Sequence, residues 1–416
     1  MVGWFVLITL ETESVGDATA VSITGNEIEE SLAWDDGEWS LLKIYATETE
    51  ANVEFPNNAI YTITLSGGSL GTLNQQVPLG APNYPSVPYL TKQDASRIRS
   101  INTGAPFTFH STTPGATTIL VSAEINEKIS DLDVWDQETT PEVTSGTVPT
   151  GMLNAGHCYQ LNLAHINETT INGTDGFGSM GFTLQTRVLL HDVFTVFSPH
   201  VSSIVGAWQS GDGQADDSVI LVFLANGTYF HAEDGSGDSE APDGIERGSY
   251  SWDENTGILT ITPDVYTNGE FGASHPVGDF ILSVSGDTLT VGDQAETSVL
   301  QRVSSSSNPL VGGWRICNNT SATPGVLVFL ENNLYFHAEV NDGDPSGADG
   351  MERGTYTWDA LTSALTTTRA VDTNGELSLS HPDPAFQVQP LGTRSMILSD
   401  KEDTNLSRIS NAAVLP

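Results

Sequence analysis

Through most of this chain apolar and polar residues alternate with a period of two, which places successive side chains on opposite faces of a strand. In residues 60–66, Tyr61, Ile63 and Leu65 face one way and Ile60, Thr62 and Thr64 the other. Similar short runs at 4–10, 18–23 and 39–46 predict a β-rich unit over residues 1–88. The Pro-rich stretch 78–88 reads as a linker or an edge crossing at its end. A second β unit is expected over 89–198, with an alternating strand at 160–164. Farther on, 221–224 turns at Asn226-Gly227 into 228–233, a strong hairpin signal. Likewise 249–253 turns at Asn255-Thr256-Gly257 into 258–262. Nothing from 199 onward has helical periodicity, so the pattern predicts an all-β chain.

The last half of the pattern occurs twice. Val205-Gly206-Ala207-Trp208 returns as Val311-Gly312-Gly313-Trp314, and Tyr229-Phe230-His231-Ala232-Glu233 as Tyr335-Phe336-His337-Ala338-Glu339. Glu246-Arg247-Gly248, Thr267-Asn268-Gly269-Glu270, Ser274-His275-Pro276 and Arg302 recur in the same way. Every pair is 106 positions apart (314 − 208, 337 − 231, 408 − 302). A fixed offset without gaps means two tandem copies of one unit, over 199–306 and 307–416.

Composition adds three limits. The 416 residues carry 53 acidic side chains against 14 Lys and Arg, a net charge of −39 at pH 7. So negative a field argues against nucleic acid or anionic lipid as a partner and keeps the chain soluble. The apolar start at residues 1–10 is far short of the roughly 20 residues of a membrane span, so no membrane insertion is expected. The two cysteines, Cys158 and Cys317, are too few for a disulfide framework or a thiolate zinc site, and both read as plain thiols.

Two local patterns resemble known folds. Each repeat opens with Gly-x-Trp (Gly206/Trp208, Gly312/Trp314) and closes with Arg302 or Arg408, 94 positions after its Trp (302 − 208, 408 − 314). This resembles the calycin superfamily, the lipocalins and their relatives. The resemblance implies small antiparallel barrels in which the Trp covers the floor and the Arg stacks on it. Leu153, a turn, and Tyr159 at a strand start resemble the tyrosine corner of fibronectin type III and immunoglobulin-like sandwiches. That resemblance implies a structural role for Tyr159. The expected architecture is an N-terminal β-sandwich region (1–88 and 89–198) followed by two tandem calycin-like barrels.

Candidate chemistry concentrates in the repeats. Tyr229, His231 and Glu233 share one strand face, as do Tyr335, His337 and Glu339. If the next strand pairs with them, Glu246 and Tyr250, or Glu352 and Tyr356, join the same wall, and His275 or His381 can reach it from a loop. The ligand-binding candidates are therefore Tyr229, His231, Tyr250, Tyr335, His337 and Tyr356. An acid/base pair, if the chain is an enzyme, would come from His231, Glu233, Glu246, His275, His337, Glu339, Glu352 and His381. The competing reading is a buried polar network closed by Tyr and by the adjacent Arg247 and Arg353. Acidic loops offer Asp234, Asp238 and Asp243, and Asp342, Asp344 and Asp349, as oxygen ligands for calcium; a solvated loop competes, and no other cofactor is implied.

No nucleophile elbow, P-loop, dinucleotide fingerprint or zinc-protease helix is present. The expected function is that of a secreted or surface-associated protein whose barrels bind a small molecule or glycan, or mediate adhesion, without catalysis. A hydrolase or lyase on an ester or polysaccharide is the alternative, and a structural surface or filament subunit a third. Oligomeric state is left open.

Overall fold

The computed structural model describes residues 2–11, 16–26, 28–35, 37–56, 59–78, 84–98, 101, 104–128, 132–154, 157–172, 179–189, 194–195, 202–210, 219–234, 242–269, 273–274, 276, 278–304, 307–317, 325–340, 348–375, 379, 386–390, 395–400 and 403–409. The fold is all-β, with two short helices among the described residues, at Glu48–Glu54 and Lys92–Arg97. The first is held by a capping box, Thr47 accepting from Glu50 N–H and Glu50 reaching back to Thr47 N–H.

The N-terminal half is built on one long antiparallel ladder. Its first strand, Val2–Leu10, bonds to Glu38–Tyr45 on one side and to Ser179–Leu189 on the other. Hydrogen bonding is therefore continuous across residue 88, although two separate cores lie on either side of it. One is centred on Val6, Ile8, Tyr61, Ile63 and Leu65. The other forms where the small ladder Phe107–His110 and Ser145–Val148 lays Phe107, Phe109 and Val148 over Ile125, Leu161 and Leu163. Tyr159 lies in this second core, and its hydroxyl accepts from Asn154 N–H at 2.8 Å.

The first repeat closes into an eight-stranded antiparallel barrel running from Gly206–Ser210 to Thr297–Arg302. The second forms an eight-stranded sheet, Gly312–Cys317 to Asp403–Arg408, that curls until Ala364 bridges Gln387. In both, first and last strands pair with Trp opposite Arg: Trp208 with Arg302, Trp314 with Arg408. The guanidinium carbons sit 3.9 and 4.2 Å from the indole centres. Arg302 also donates to Val205 O (2.9 Å) and Ser203 O (2.8 Å), and Arg408 to Val311 O (2.7 Å) and Pro309 O (2.6 Å). Gly206 and Gly312 have φ of +149° and +142°, and a Cβ on either would collide with the Arg head. Glycine in Gly-x-Trp thus makes room for the residue that locks the plug.

The two repeats pack on each other through outward-facing side chains. Phe230 and Ala232 meet Phe336 and Ala338 in one core, joined by Val205, Val222 and Leu224 and their equivalents Val311, Val328 and Leu330. Tyr-Phe-His-Ala-Glu is thus buried on both faces: Tyr, His and Glu line the barrel, whereas Phe and Ala form the seam between barrels. Arg247 and Arg353 also belong to the outer face. They do not close the His–Glu pairs. Arg247 pairs with Asp264 of its own barrel, and Arg353 reaches across the seam to Asp234. The expectation of two plain thiols is also corrected: Cys158 and Cys317 form a buried disulfide between the N-terminal half and the second barrel. Nearby Arg315 is buried, which pushes its guanidinium down to about 10 against the opposing pull of Glu127. Among the described residues no helix is long and apolar enough to cross a membrane.

Candidate functional site

The strand Thr228–Glu233 pairs with Gly244–Trp252 so that His231 lies opposite Glu246. Both project into the barrel, and Glu246 is completely buried. Tyr229 donates its hydroxyl to Glu246 Oε1 at 2.6 Å, while Ser274 donates its backbone N–H (3.3 Å) and its hydroxyl to Oε2. Burial, reinforced by the carboxylate partner, raises the Tyr229 phenol far above its ordinary value. Tyr335 makes the same hydrogen bond to Glu352 in the second barrel. Tyr250 and Tyr356 donate instead to the hairpin carbonyls of Leu224 (2.8 Å) and Leu330 (3.0 Å). These groups are engaged in holding the barrel wall together.

The histidines differ between the copies. His231 Nδ1 lies 3.2 Å from the side-chain NH2 of Asn268, which can only donate, so the neutral ring carries its proton on Nε2. Burial pushes His231 down to about 4 against the pull of Glu246. Its Nε2 is 4.0 Å from Glu233 Oε2, too far for a hydrogen bond. In the second barrel His337 Nε2 closes on Glu339 Oε2 at 3.2 Å. Burial there is outweighed by that bond and by the charges of Glu339 and Glu352, so His337 is raised.

Beside His231 and Glu233 the first barrel holds a cavity of about 350 Å³ at the end away from the Trp208 plug. Leu221, Phe280, Val291 and Leu300 supply apolar wall, and Ser210, Ser298, Asp293 and Glu296 supply polar edge. Ala273 and Pro276 complete it. The repeat explains the space. At the places of Ser210 and Ala273 the second barrel carries Ile316 and Leu379 (210 + 106, 273 + 106), both packed into its core. Two small residues leave open in one copy what two large ones fill in the other.

Of the residues anticipated from sequence, the cavity brings together His231 and Glu233. Glu246, Tyr229 and Tyr250 share their barrel but do not line it. His337, Glu339, Glu352, Tyr335 and Tyr356 belong to the second barrel. His275, His381, Asp238, Asp342 and Asp344 lie outside the described residues. Asp234 is no solvated loop ligand for calcium; it is buried and paired with Arg353. Asp243 and Asp349 are half-buried, and among the described residues no cluster of three or more metal-ligating side chains occurs. The lining residues Ser210, Ala273, Phe280, Asp293 and Glu296 were not anticipated, although reading one copy against the other marks the first two. No protein-family model matches the chain, and no curated protein matches it.

Proposed function

We propose that the protein is an exported, multidomain binding protein whose first barrel holds a small, largely apolar ligand while the second serves as its scaffold. The observation that carries this reading is the cavity next to His231, open where Ser210 and Ala273 replace the core residues Ile316 and Leu379. Its volume and mixed lining fit a small-molecule site. The Gly-x-Trp plug with its stacked Arg supports a calycin-like barrel, a fold suited to holding a ligand at one end. The Tyr159 hydroxyl, bonded to backbone upstream, supports a fibronectin-like corner in the N-terminal half. The disulfide supports an oxidising, extracytoplasmic setting.

Binding is favoured over acid/base catalysis because both oxygens of Glu246 are engaged and His231 Nε2 stands 4.0 Å from Glu233 Oε2, beyond hydrogen-bond distance. The apolar wall favours a compact molecule over a glycan. The test is a ligand screen by native mass spectrometry on the wild-type chain and on Ser210→Ile/Ala273→Leu, which gives the first barrel the second barrel's filling. Ligands retained by the wild type are expected to be lost from the double variant, with the melting temperature unchanged or higher. Equal retention by the filled variant would sink the proposal.

A further inference from the structure

We propose that the Cys158–Cys317 bridge is a redox-operated latch between the N-terminal half and the second barrel, with Arg315 positioned to favour its opening by a dithiol reductant.

Comparison of the repeats singles out the pair. Arg315 and Cys317 stand where the first copy has Gln209 and Gly211 (209 + 106, 211 + 106). On the strand Gly312–Cys317 they are two positions apart and share the outer face, because Trp314 and Ile316 turn into the barrel core. The second copy alone thus carries a cation and a thiol side by side, on the face bridged to the N-terminal half.

Keeping this junction closed is costly. Arg315 is 3% exposed, and all three of its guanidinium nitrogens lack a hydrogen-bond partner among the described residues. Nearby charges are engaged elsewhere: Glu127 Oε1 lies 3.0 Å from His157 Nδ1, and Lys128 donates to Gln160 Oε1 at 2.8 Å. The Tyr159 hydroxyl accepts from Asn154 N–H. Docking strips water from the guanidinium, and separation returns it. Among the described residues, Cys158 and Cys317 form a small buried cluster of their own, apart from the cores on either side. The junction there consists of the sulfur bridge without a common apolar core.

Reduction is a two-step thiol exchange. One thiol of the reductant loses its proton to water and attacks Cys158 Sγ. The bond to Cys317 breaks, and Cys317 leaves as a thiolate beside Arg315. The second thiol then attacks its own sulfur in the mixed disulfide, and Cys158 leaves and takes up the remaining proton. Two electrons pass to the bridge, and the reductant ends as a cyclic disulfide. A neighbouring guanidinium lowers the pKa of a thiol, which makes Cys317 the better leaving group and stabilises the reduced state. Both sulfur atoms are buried, so exchange is slow and the latch answers to the prevailing redox poise.

The test is equilibration of the full chain in dithiothreitol redox buffers at pH 7, with the bridged fraction counted by mass spectrometry after trapping of free thiols. Arg315→Met is expected to shift the equilibrium toward the bridge by about tenfold, or about 30 mV. Gln209→Met, the same change on the first barrel, is expected to shift it by less than about twofold. Two wild-type measurements stand even if the variant folds poorly. In the reduced chain, the pH profile of iodoacetamide alkylation should place Cys317 below Cys158, and small-angle scattering should show a larger radius of gyration than in the oxidised chain. An unchanged equilibrium in Arg315→Met, a Cys317 that titrates at or above Cys158, or a reduced chain of unchanged dimensions would each overturn the latch.

Discussion

Ala207 and Gly313 are the same position in the two repeats, and they touch one another. A Cβ placed on Gly313 would lie 2.6 Å from that of Ala207. Equivalent strands also lie against each other across the seam. The repeats are therefore related by an approximate twofold axis, like a self-complementary dimer whose subunits have been joined. Gly313→Ala should force the seam apart and cost about 1–3 kcal/mol, read as a lower denaturation midpoint. Ala207→Gly in the same chain should recover much of that loss.

Exact symmetry is broken at one pair of arginines. Arg353 depends on Asp234 across the seam, where the symmetric position is Val340; Arg247 depends on Asp264, where the second copy has Ala370. Asp234→Asn should cost about 3–5 kcal/mol, because it leaves a buried guanidinium without its partner. Asp264 is half exposed, so Asp264→Asn should cost only about 1 kcal/mol. Adding Ala370→Asp to Asp234→Asn should restore part of the loss, as followed by urea denaturation.

The two histidines predict opposite pH responses. His231 has a folded value of about 4, below the ordinary 6.5, so the unfolded chain takes up its proton first. Its contribution is present above pH 6.5 and is lost as pH falls toward 4, by roughly 3 kcal/mol at most. His337 is raised, so its contribution is full below pH 6.5 and fades as pH rises through the folded value. His231→Gln should flatten the acid limb of the stability–pH curve, and His337→Gln the neutral one. Melting temperatures between pH 4 and 8 check both; the same limb changing in each variant would refute the assignment.

Turns give a smaller test. Gly257 has φ of +76°, and its equivalent Ser363 is held at +61°. Ser363→Gly should remove left-handed strain and stabilise the chain by about 0.5–1 kcal/mol. A lower melting temperature would count against it.

Alternation made the strands legible, and fixed spacing made the Trp–Arg closure legible, because both are local or periodic. The inward set Tyr229, His231 and Glu233 could be read from parity alone. That Phe230 and Ala232 are also buried could not, since the burying surface is the other repeat. Arg247 and Arg353 looked like partners for neighbouring carboxylates, but strand parity sends them to the opposite face. The link between Cys158 and Cys317 spans 159 positions and has no local signature. The cavity is a matter of missing volume, visible only when Ser210 is set beside Ile316 and Ala273 beside Leu379.

The disulfide also fixes how the molecule carries force. The first barrel lies wholly within the covalent loop that Cys158 and Cys317 close. Tension applied between a point before Cys158 and a point after Cys317 passes through the sulfur bridge and bypasses that barrel. The domain with the cavity is thus mechanically shielded, and stretching would leave it unloaded until the bridge is reduced.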